Sequence, residues 1–172
     1  MLFRSGIGET GLDYFRTPRD QAHAQHVSFR AHIDFSKSTG KALVIHDRDA
    51  HDDVIATLLD AGAPERVVFH CFSGDAEMAQ VCARHGWYMS FAGVVTFNNA
   101  APLREALATV PDELLLVETD SPFLSPSPLR GTPNSSALMP LTVQKMAQVR
   151  GVALDTLCDT LFSNAARVFG PF

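Results

Sequence analysis

The stretch from Leu114 to Leu124 constrains this chain most, because it changes abruptly from apolar to acidic. Its first part, LLLV, is a continuous apolar run, which is typical of a strand buried on both faces of a parallel sheet. Asp120 comes where such a strand leaves the core, and Pro122 ends regular strand pairing. A carboxylate in this position is either a metal ligand or general base, or an acidic residue that caps the turn.

The same pattern, a short apolar or small-residue run followed by a metal-binding residue type, recurs three times earlier in the chain. The runs are IG before Glu9, ALVI before His46 and RVVF before His70. In a barrel of parallel strands wrapped by helices, the carboxyl ends of the strands converge on one face. We therefore expect Glu9, His46, His70 and Asp120 to meet around one centre.

The segments between these runs have helical spacing of apolar residues, which predicts alternating strands and helices. A helix is expected over residues 20–38, and another begins at Asp75 as its N-cap. His46 and His70 are 24 residues apart (70 − 46), close to one unit of a barrel in which about 250 residues make eight units. Residues 1–172 show no linker or repeat, so we expect one α/β domain.

Composition limits the classes of function that this sequence can have. The net charge of −5 argues against a broad basic surface for nucleic acid. Three cysteines without a Cys-x-x-Cys pair argue against a disulfide framework and for a reducing compartment. Because the apolar runs are only strand-length and residues 1–6 lack a signal-peptide core, we expect a cytoplasmic protein without membrane contact.

A set of carboxylates and imidazoles suits zinc, manganese or iron and tolerates magnesium. Two such ions about 3.5–4 Å apart can clamp a phosphodiester, and a carboxylate such as Asp120 can orient water or accept its proton. Arg48 either binds a substrate phosphate or forms a surface salt bridge. The loop of residues 125–140, with Arg130 and Asn134, either contacts substrate or is a rigid connector. Asp13 is interpreted as a structural hydrogen-bond acceptor.

Several blocks, in this order, closely resemble the TatD family of metal-dependent deoxyribonucleases, which belongs to the amidohydrolase-like barrels. The blocks are IGETGLDYF (7–15), KALVIHDRDA (41–50), VVFHCFSG (67–74), LLLVETDSPFLSP (114–126), RGTPN (130–134) and NAARVFG (164–170). The resemblance implies a (β/α)8 TIM-barrel-like fold and a 3′-to-5′ exonuclease that acts on DNA, at single-stranded 3′ ends, with divalent cations (Mg, Mn or Zn).

The resemblance also implies roles for four residues and for the number of metal ions. Glu9 resembles the ligand that bridges two metals, and His46 and His70 resemble ligands of one of them. Asp120 resembles a ligand of the other metal and the catalytic residue that activates water. Arg48, Arg130 and Asn134 are the candidate substrate-binding residues. Two ions are expected in a full-length site.

One feature of the family pattern is missing from this sequence. The family opens with a strand that carries a His-x-His pair, and no two histidines here are separated by a single residue. We therefore expect the C-terminal portion of the fold, with about five of eight barrel units, one well-held ion and low activity alone. The alternatives are hydrolysis of another ester or an amide, such as an aminoacyl-tRNA ester, and an inactive truncated remnant or wrongly assigned start.

Overall fold

Five parallel strands form one sheet, and helices follow the strands in sequence. The computed structural model describes residues 5–170, so most of the N-terminal segment considered above lies outside the described residues. The sheet order is β1-β2-β3-β4-β5, with every neighbouring pair parallel. The strands are β1 (Gly6–Asp13), β2 (Ala42–Arg48), β3 (Val67–Phe69), β4 (Tyr88–Phe91) and β5 (Leu115–Val117). The predicted α/β class with a parallel sheet is confirmed.

Within residues 5–170, six α-helices and four short 3-10 turns lie between the strands or after β5. The helices are α1 (His23–Thr39), α2 (His51–Ala61), α3 (Ala76–Arg84), α4 (Ala101–Thr109), α5 (Met139–Arg150) and α6 (Leu154–Phe169). The 3-10 turns are Arg19–Gln21, Gly93–Thr96, Asp112–Leu114 and Ser136–Leu138. None of the helices among the described residues has the length and apolar character required to cross a membrane.

The core lies between the sheet and the helices that pack on it. Strand β3 is buried along its whole length, as its unbroken apolar run predicts. Helix α1 buries Phe29 and Ile33, which are four residues apart on one face, and it ends at Gly40 in the left-handed conformation. The side-chain amide of Asn164 on α6 donates hydrogen bonds to backbone oxygens of Asp112 and Leu115, which ties the last helix to β5.

The predicted start of α1 and the predicted end of β2 are wrong, and both errors have local causes. Helix α1 begins at His23 and not at residue 20, because residues 19–21 form a separate 3-10 turn. The predicted strand before His46 ends at residue 45, whereas β2 continues through His46 to Arg48. The extra length of β2 is explained by its pairing with β1, which continues to Asp13.

Glu9 lies inside β1 and not after it, at an irregularity of the strand pairing. Ile7 pairs with Leu43 and Thr10 pairs with Ile45, so three steps along β1 match two steps along β2. The extra residue is a β-bulge, which re-aims side chains and is common beside functional sites. The bulge places the Glu9 side chain toward the ends of β2 and β3.

Glycine is required beside this bulge. Gly11 has a φ of +142°, and a Cβ there would collide with the backbone carbonyl of His46. Gly8 has a φ of +146°, and its Cβ would stand 2.5 Å from the carbonyl oxygen of Val44. Both positions therefore combine a backbone conformation that favours glycine with a close approach of two strands.

Candidate metal centre

Glu9, at the bulge of β1, meets His46 near the carboxyl end of β2 and His70 directly after β3. Each offers one ligand atom, and these atoms all lie within 4.8 Å of one another. Glu9 Oε1 is 3.4 Å from His46 Nδ1, and Glu9 Oε2 is 3.5 Å from His70 Nε2. Asp120 follows β5, and its Oδ1 lies 3.6 Å from His70 Nε2. The structure thus brings together the four residues that the sequence places at strand ends.

The three donor groups fit a divalent cation in chemistry and in spacing. Ligand atoms about 2.1 Å from a common ion stand about 3–3.4 Å apart in octahedral or tetrahedral coordination. The separations of 3.4 and 3.5 Å measured from Glu9 are close to this range. One carboxylate with two imidazoles is a donor set that suits zinc, manganese or iron.

Glu118 fixes the orientation of the His70 ring. Its Oε2 lies 2.5 Å from His70 Nδ1, and its Oε1 accepts a hydrogen bond from the backbone N–H of Cys71. An ionised carboxylate only accepts hydrogen bonds, so Nδ1 donates to Glu118. Nε2, on the opposite side of the ring, faces Glu9 and Asp120, where it is placed to bind a cation. A carboxylate that holds the far nitrogen of a ligand histidine is a recurrent arrangement in metal sites.

Asp13 holds His46 in a similar way, although it contacts the other ring nitrogen. Asp13 Oδ2 lies 3.1 Å from His46 Nε2, and Oδ1 accepts a hydrogen bond from the backbone N–H of Arg16. The Nδ1 atom of His46 therefore faces Glu9. This contact agrees with the interpretation of Asp13 as a hydrogen-bond acceptor.

The concentration of carboxylates changes the proton affinities of the centre. The hydrogen bond to Glu118 raises the pKa of His70 above its usual value, against an opposing effect of burial. Burial raises the pKa of Asp120, and the charges of Glu118 and Glu9 raise it further, although His70 acts in the opposite direction. Four carboxylates surround the two imidazoles of the centre, and a bound cation would offset their charge.

The backbone at the centre adopts unusual conformations. Asp120 has a φ of 57° and Cys71 has a φ of 45°, although neither is glycine. Non-glycine residues in this region store strain of about 1–3 kcal/mol and concentrate at functional sites. The strain is located where two of the strand ends turn toward the centre.

A cavity of about 580 Å³ opens over the candidate ligands. Of the three predicted substrate-binding residues, Arg48 is among its lining residues, and Arg130 and Asn134 are not. Arg48 lines this cavity, with its guanidinium 3.8 Å from the centre of the Phe15 ring. Arg130 lies 4.2 Å over the ring of Phe97, which lines a neighbouring cavity. Arg16 and Phe123 also line the cavity over the candidate ligands.

Asn134 is buried and holds its own loop together. Its amide donates hydrogen bonds of 2.7 Å to the backbone oxygens of both Thr119 and Phe123, and its side-chain oxygen accepts one from Ser135. Both amide hydrogens are thus used inside the loop. The geometry supports a role in positioning the segment around Asp120 and leaves the amide no free hydrogen for a substrate.

Sequence reasoning missed the role of Glu118, although a signal for it was present. Glu118 and Asp120 are two residues apart at the end of a strand, and alternate residues of a strand point to the same side. The pattern therefore indicates two carboxylates at the centre. The contact of Glu118 with His70, 48 residues away, becomes visible only in the structure.

Comparison with known proteins agrees with this architecture. The family model described as "TatD related DNase" matches residues 4–170. A Mycobacterium tuberculosis protein named "Uncharacterized metal-dependent hydrolase TatD" is 43% identical over 168 residues, which are 95% of this chain and 64% of that protein. The Escherichia coli K12 protein named "Uncharacterized metal-dependent hydrolase YcfH" is 42% identical over 164 residues, which are 95% and 62% of the two chains.

Solved structures show the same fold. The crystal structure of YjjV, a TatD homologue from Escherichia coli K12, matches with a TM-score of 0.91 and 25% identity over 98% of this chain and 64% of that one. A TatD family hydrolase from Entamoeba histolytica matches with a TM-score of 0.83 over the same shares. This chain spans less than two thirds of the length of these relatives, and its five-stranded sheet is part of a TIM-barrel-like fold. On the extent of the family match and on these relatives, the chain belongs to the TatD-related DNase family.

Proposed function

We propose that this chain hydrolyses phosphodiester bonds of DNA with the help of a bound divalent cation. The observation that carries the proposal is the convergence of the Glu9, His46 and His70 ligand atoms within 4.8 Å, next to Asp120. The family model, described as a DNase, supports the choice of substrate. The names of the longer relatives support metal-dependent hydrolysis.

Each residue of the centre has a distinct part in the proposed reaction. A divalent cation, when bound, would supply Lewis-acid activation of water and charge neutralisation at the phosphate. Glu9, His46 and His70 would hold it. Asp120, whose pKa is raised by burial, is suited to take a proton from the attacking water. Arg48 and Arg16 line the same cavity and would bind the phosphate oxygens.

We also propose that the described residues hold one ion well and that the substrate is a single-stranded 3′ end. A second ion would have only Glu9 and Asp120 as ligands from this set, which is a weak donor set. The cavity of about 580 Å³ has the size of a site for one small ligand, which favours a chain end over the middle of a duplex.

A nuclease assay tests the proposed function directly. The chain, an Asp120→Asn variant and an Asp159→Asn variant would be compared on single-stranded DNA labelled at either end, with manganese and with EDTA. Asp159 is an exposed acidic residue on α6, so its variant is a matched control.

We expect manganese-dependent digestion from the 3′ end, reduced at least about 100-fold by Asp120→Asn because its proton acceptor is lost, and unchanged by Asp159→Asn. Digestion that persists in EDTA, or that survives Asp120→Asn unchanged, would contradict the proposal. Digestion from the 5′ end would contradict only the proposed 3′-to-5′ direction of digestion.

A further inference from the structure

A second cavity, of about 650 Å³, lies next to the cavity over the candidate ligands. It is bounded by the first turns of α2, α3 and α4 and by the segments that precede α3 and α4. Cys71, Ser73 and Val94 line both cavities. The two cavities therefore adjoin at these three residues.

The walls of the second cavity are mainly apolar. Two aromatic side chains, Phe72 and Phe97, line it together with Ile55, Met78 and Leu103. Its volume lies within the range of about 300–1,000 Å³ that is typical of small-molecule sites. Such walls favour a ligand with flat or apolar faces.

One polar side chain in this cavity is held in a fixed orientation. His51 Nδ1 lies 2.8 Å from Asp47 Oδ2, and the Asp47 side chain is only 4% exposed. Since the carboxylate accepts the hydrogen of Nδ1, the Nε2 atom of His51 is the nitrogen available to a ligand. Asn99 lines the same cavity and offers an amide.

The charged residues of the cavity exclude phosphate as its occupant. Asp52, Asp75 and Glu77 line it and make its rim negatively charged, which repels anions. Oδ1 of Asp75 already accepts the backbone N–H of Met78 as the N-cap of α3. Arg130 stacks on Phe97 and so places a positive charge next to this wall. The cavity thus suits a flat group with hydrogen-bond donors on its edge, linked to an anionic group held outside.

We propose that the second cavity binds a nucleobase of the substrate whose phosphodiester lies at the metal centre. This proposal rests on the proposed function and names the part of the substrate that the neighbouring cavity recognises. An exocyclic amino group of adenine, cytosine or guanine would donate to the carboxylates, and the ring would pack between apolar walls. The requirement for an accessible base favours an unpaired substrate strand.

The first test is binding of deoxyadenosine, which has a base and no phosphate, to the metal-free chain. Backbone amide shifts would be followed by NMR spectroscopy. We expect saturable shifts at Gly74 and Asn99, which line the cavity, and none along α6. Absence of binding, or shifts located elsewhere, would overturn the proposal. This test does not depend on nuclease activity.

The second test blocks the cavity. Ile55→Trp would fill it, and Leu59→Trp, one turn later on α2 and 51% exposed, is the matched control. We expect Ile55→Trp to weaken deoxyadenosine binding at least about 10-fold, because the ligand volume is lost, and Leu59→Trp to leave it unchanged. If Ile55→Trp does not fold, His51→Ala replaces it, with a smaller loss expected because the walls remain.

A comparison of substrates separates this proposal from the proposed function. Ile55→Trp should slow cleavage of an oligonucleotide with an intact terminal base but not of one with an abasic terminal position. Leu59→Trp should cleave both substrates like the unmodified chain. An equal effect of Ile55→Trp on the intact and the abasic substrate would overturn the base-binding cavity, whereas absence of cleavage of both substrates by the unmodified chain would overturn the proposed function.

Discussion

At the scale of single residues, the centre depends on carboxylates that do not themselves belong to the candidate ligand set. Glu118 holds Nδ1 of His70 at 2.5 Å, and Asp13 holds Nε2 of His46 at 3.1 Å. These contacts determine which ring nitrogen of each histidine faces Glu9. The histidines are therefore oriented before any cation binds, and binding loses less conformational entropy.

Replacing Glu118 should weaken metal binding without unfolding the chain. We expect Glu118→Ala to lower manganese affinity about 10–100-fold, since an oriented histidine becomes free to rotate. Isothermal titration calorimetry would measure the dissociation constants. Glu113→Ala, at an exposed position before β5, is the control and should bind manganese like the unmodified chain. An unchanged affinity in Glu118→Ala would show that the contact does not position His70.

The four candidate centre residues were predictable from sequence because each stands at or near the end of a short strand-like run. Glu9, His46, His70 and Asp120 all fit this local pattern. The role of Glu118 was not predictable in the same way, since its partner is distant in sequence. The burial of Asn134 could not be predicted either, because its hydrogen-bond partners are backbone oxygens that only the folded loop brings close.

At the scale of secondary-structure elements, the irregular first strand determines where the carboxylate of Glu9 lies. The sequence predicts a strand that stops at Glu9, whereas β1 passes through Glu9 with a bulge and continues to Asp13. Glycine-rich segments predict tight turns, and the pattern contains no sign that two strands approach closely here. Because β1 pairs with β2, Gly8 and Gly11 are strand residues and not turn residues.

Adding a methyl group at Gly11 should separate β1 from β2. We expect Gly11→Ala to lower the free energy of unfolding by more than about 1 kcal/mol, because φ is positive and the Cβ meets the His46 carbonyl. Urea unfolding would measure this change. Manganese affinity should fall as well, since the collision displaces His46.

Gly40→Ala is the control for this prediction. Gly40 also has a positive φ, of +64°, but a Cβ there would have nothing within 4 Å. The Gly40→Ala variant should lose about 1 kcal/mol of stability through backbone conformation alone, and its manganese affinity should be unchanged. Equal manganese affinities in Gly11→Ala and Gly40→Ala would contradict the proposed importance of the strand contact.

Helix α2 should make stability depend on pH through His51. The hydrogen bond to Asp47 raises the pKa of His51 against the effect of burial, and Asp47, Asp49 and Asp75 add favourable charge interactions. Because the folded pKa is raised, the stabilisation is full below the unfolded pKa of about 6.5 and is lost as the pH rises through the folded value.

We therefore expect His51→Gln to destabilise the chain more at about pH 5.5–6, where the stabilisation by His51 is present, than at about pH 8.5–9, where it is lost. Chemical unfolding at both pH values would measure the difference. In an Asp47→Asn background the pH-dependent part of the His51→Gln effect should shrink, because the acceptor charge is gone. A loss that is equal at both pH values would contradict this account.

At the scale of the whole molecule, the parallel sheet explains why distant residues meet. The five described strands all run in the same direction, so residues at their carboxyl ends share one edge. The bulge in β1 aims Glu9 toward that edge, where His70 and Asp120 lie, although Glu9 and Asp120 are far apart in sequence. This order was predictable, since apolar runs alternate with helical patterns. The second cavity was not, because its walls come from the first turns of three helices and their contacts are not periodic in sequence.

The measurement that tests the central claim most directly is anomalous X-ray diffraction from crystals of this chain grown with manganese. We predict one strong anomalous peak per chain, within bonding distance of Glu9, His46 Nδ1 and His70 Nε2. A peak bound elsewhere, or two equally strong peaks at the centre, would contradict the account. So would a centre without manganese at concentrations that support DNA cleavage.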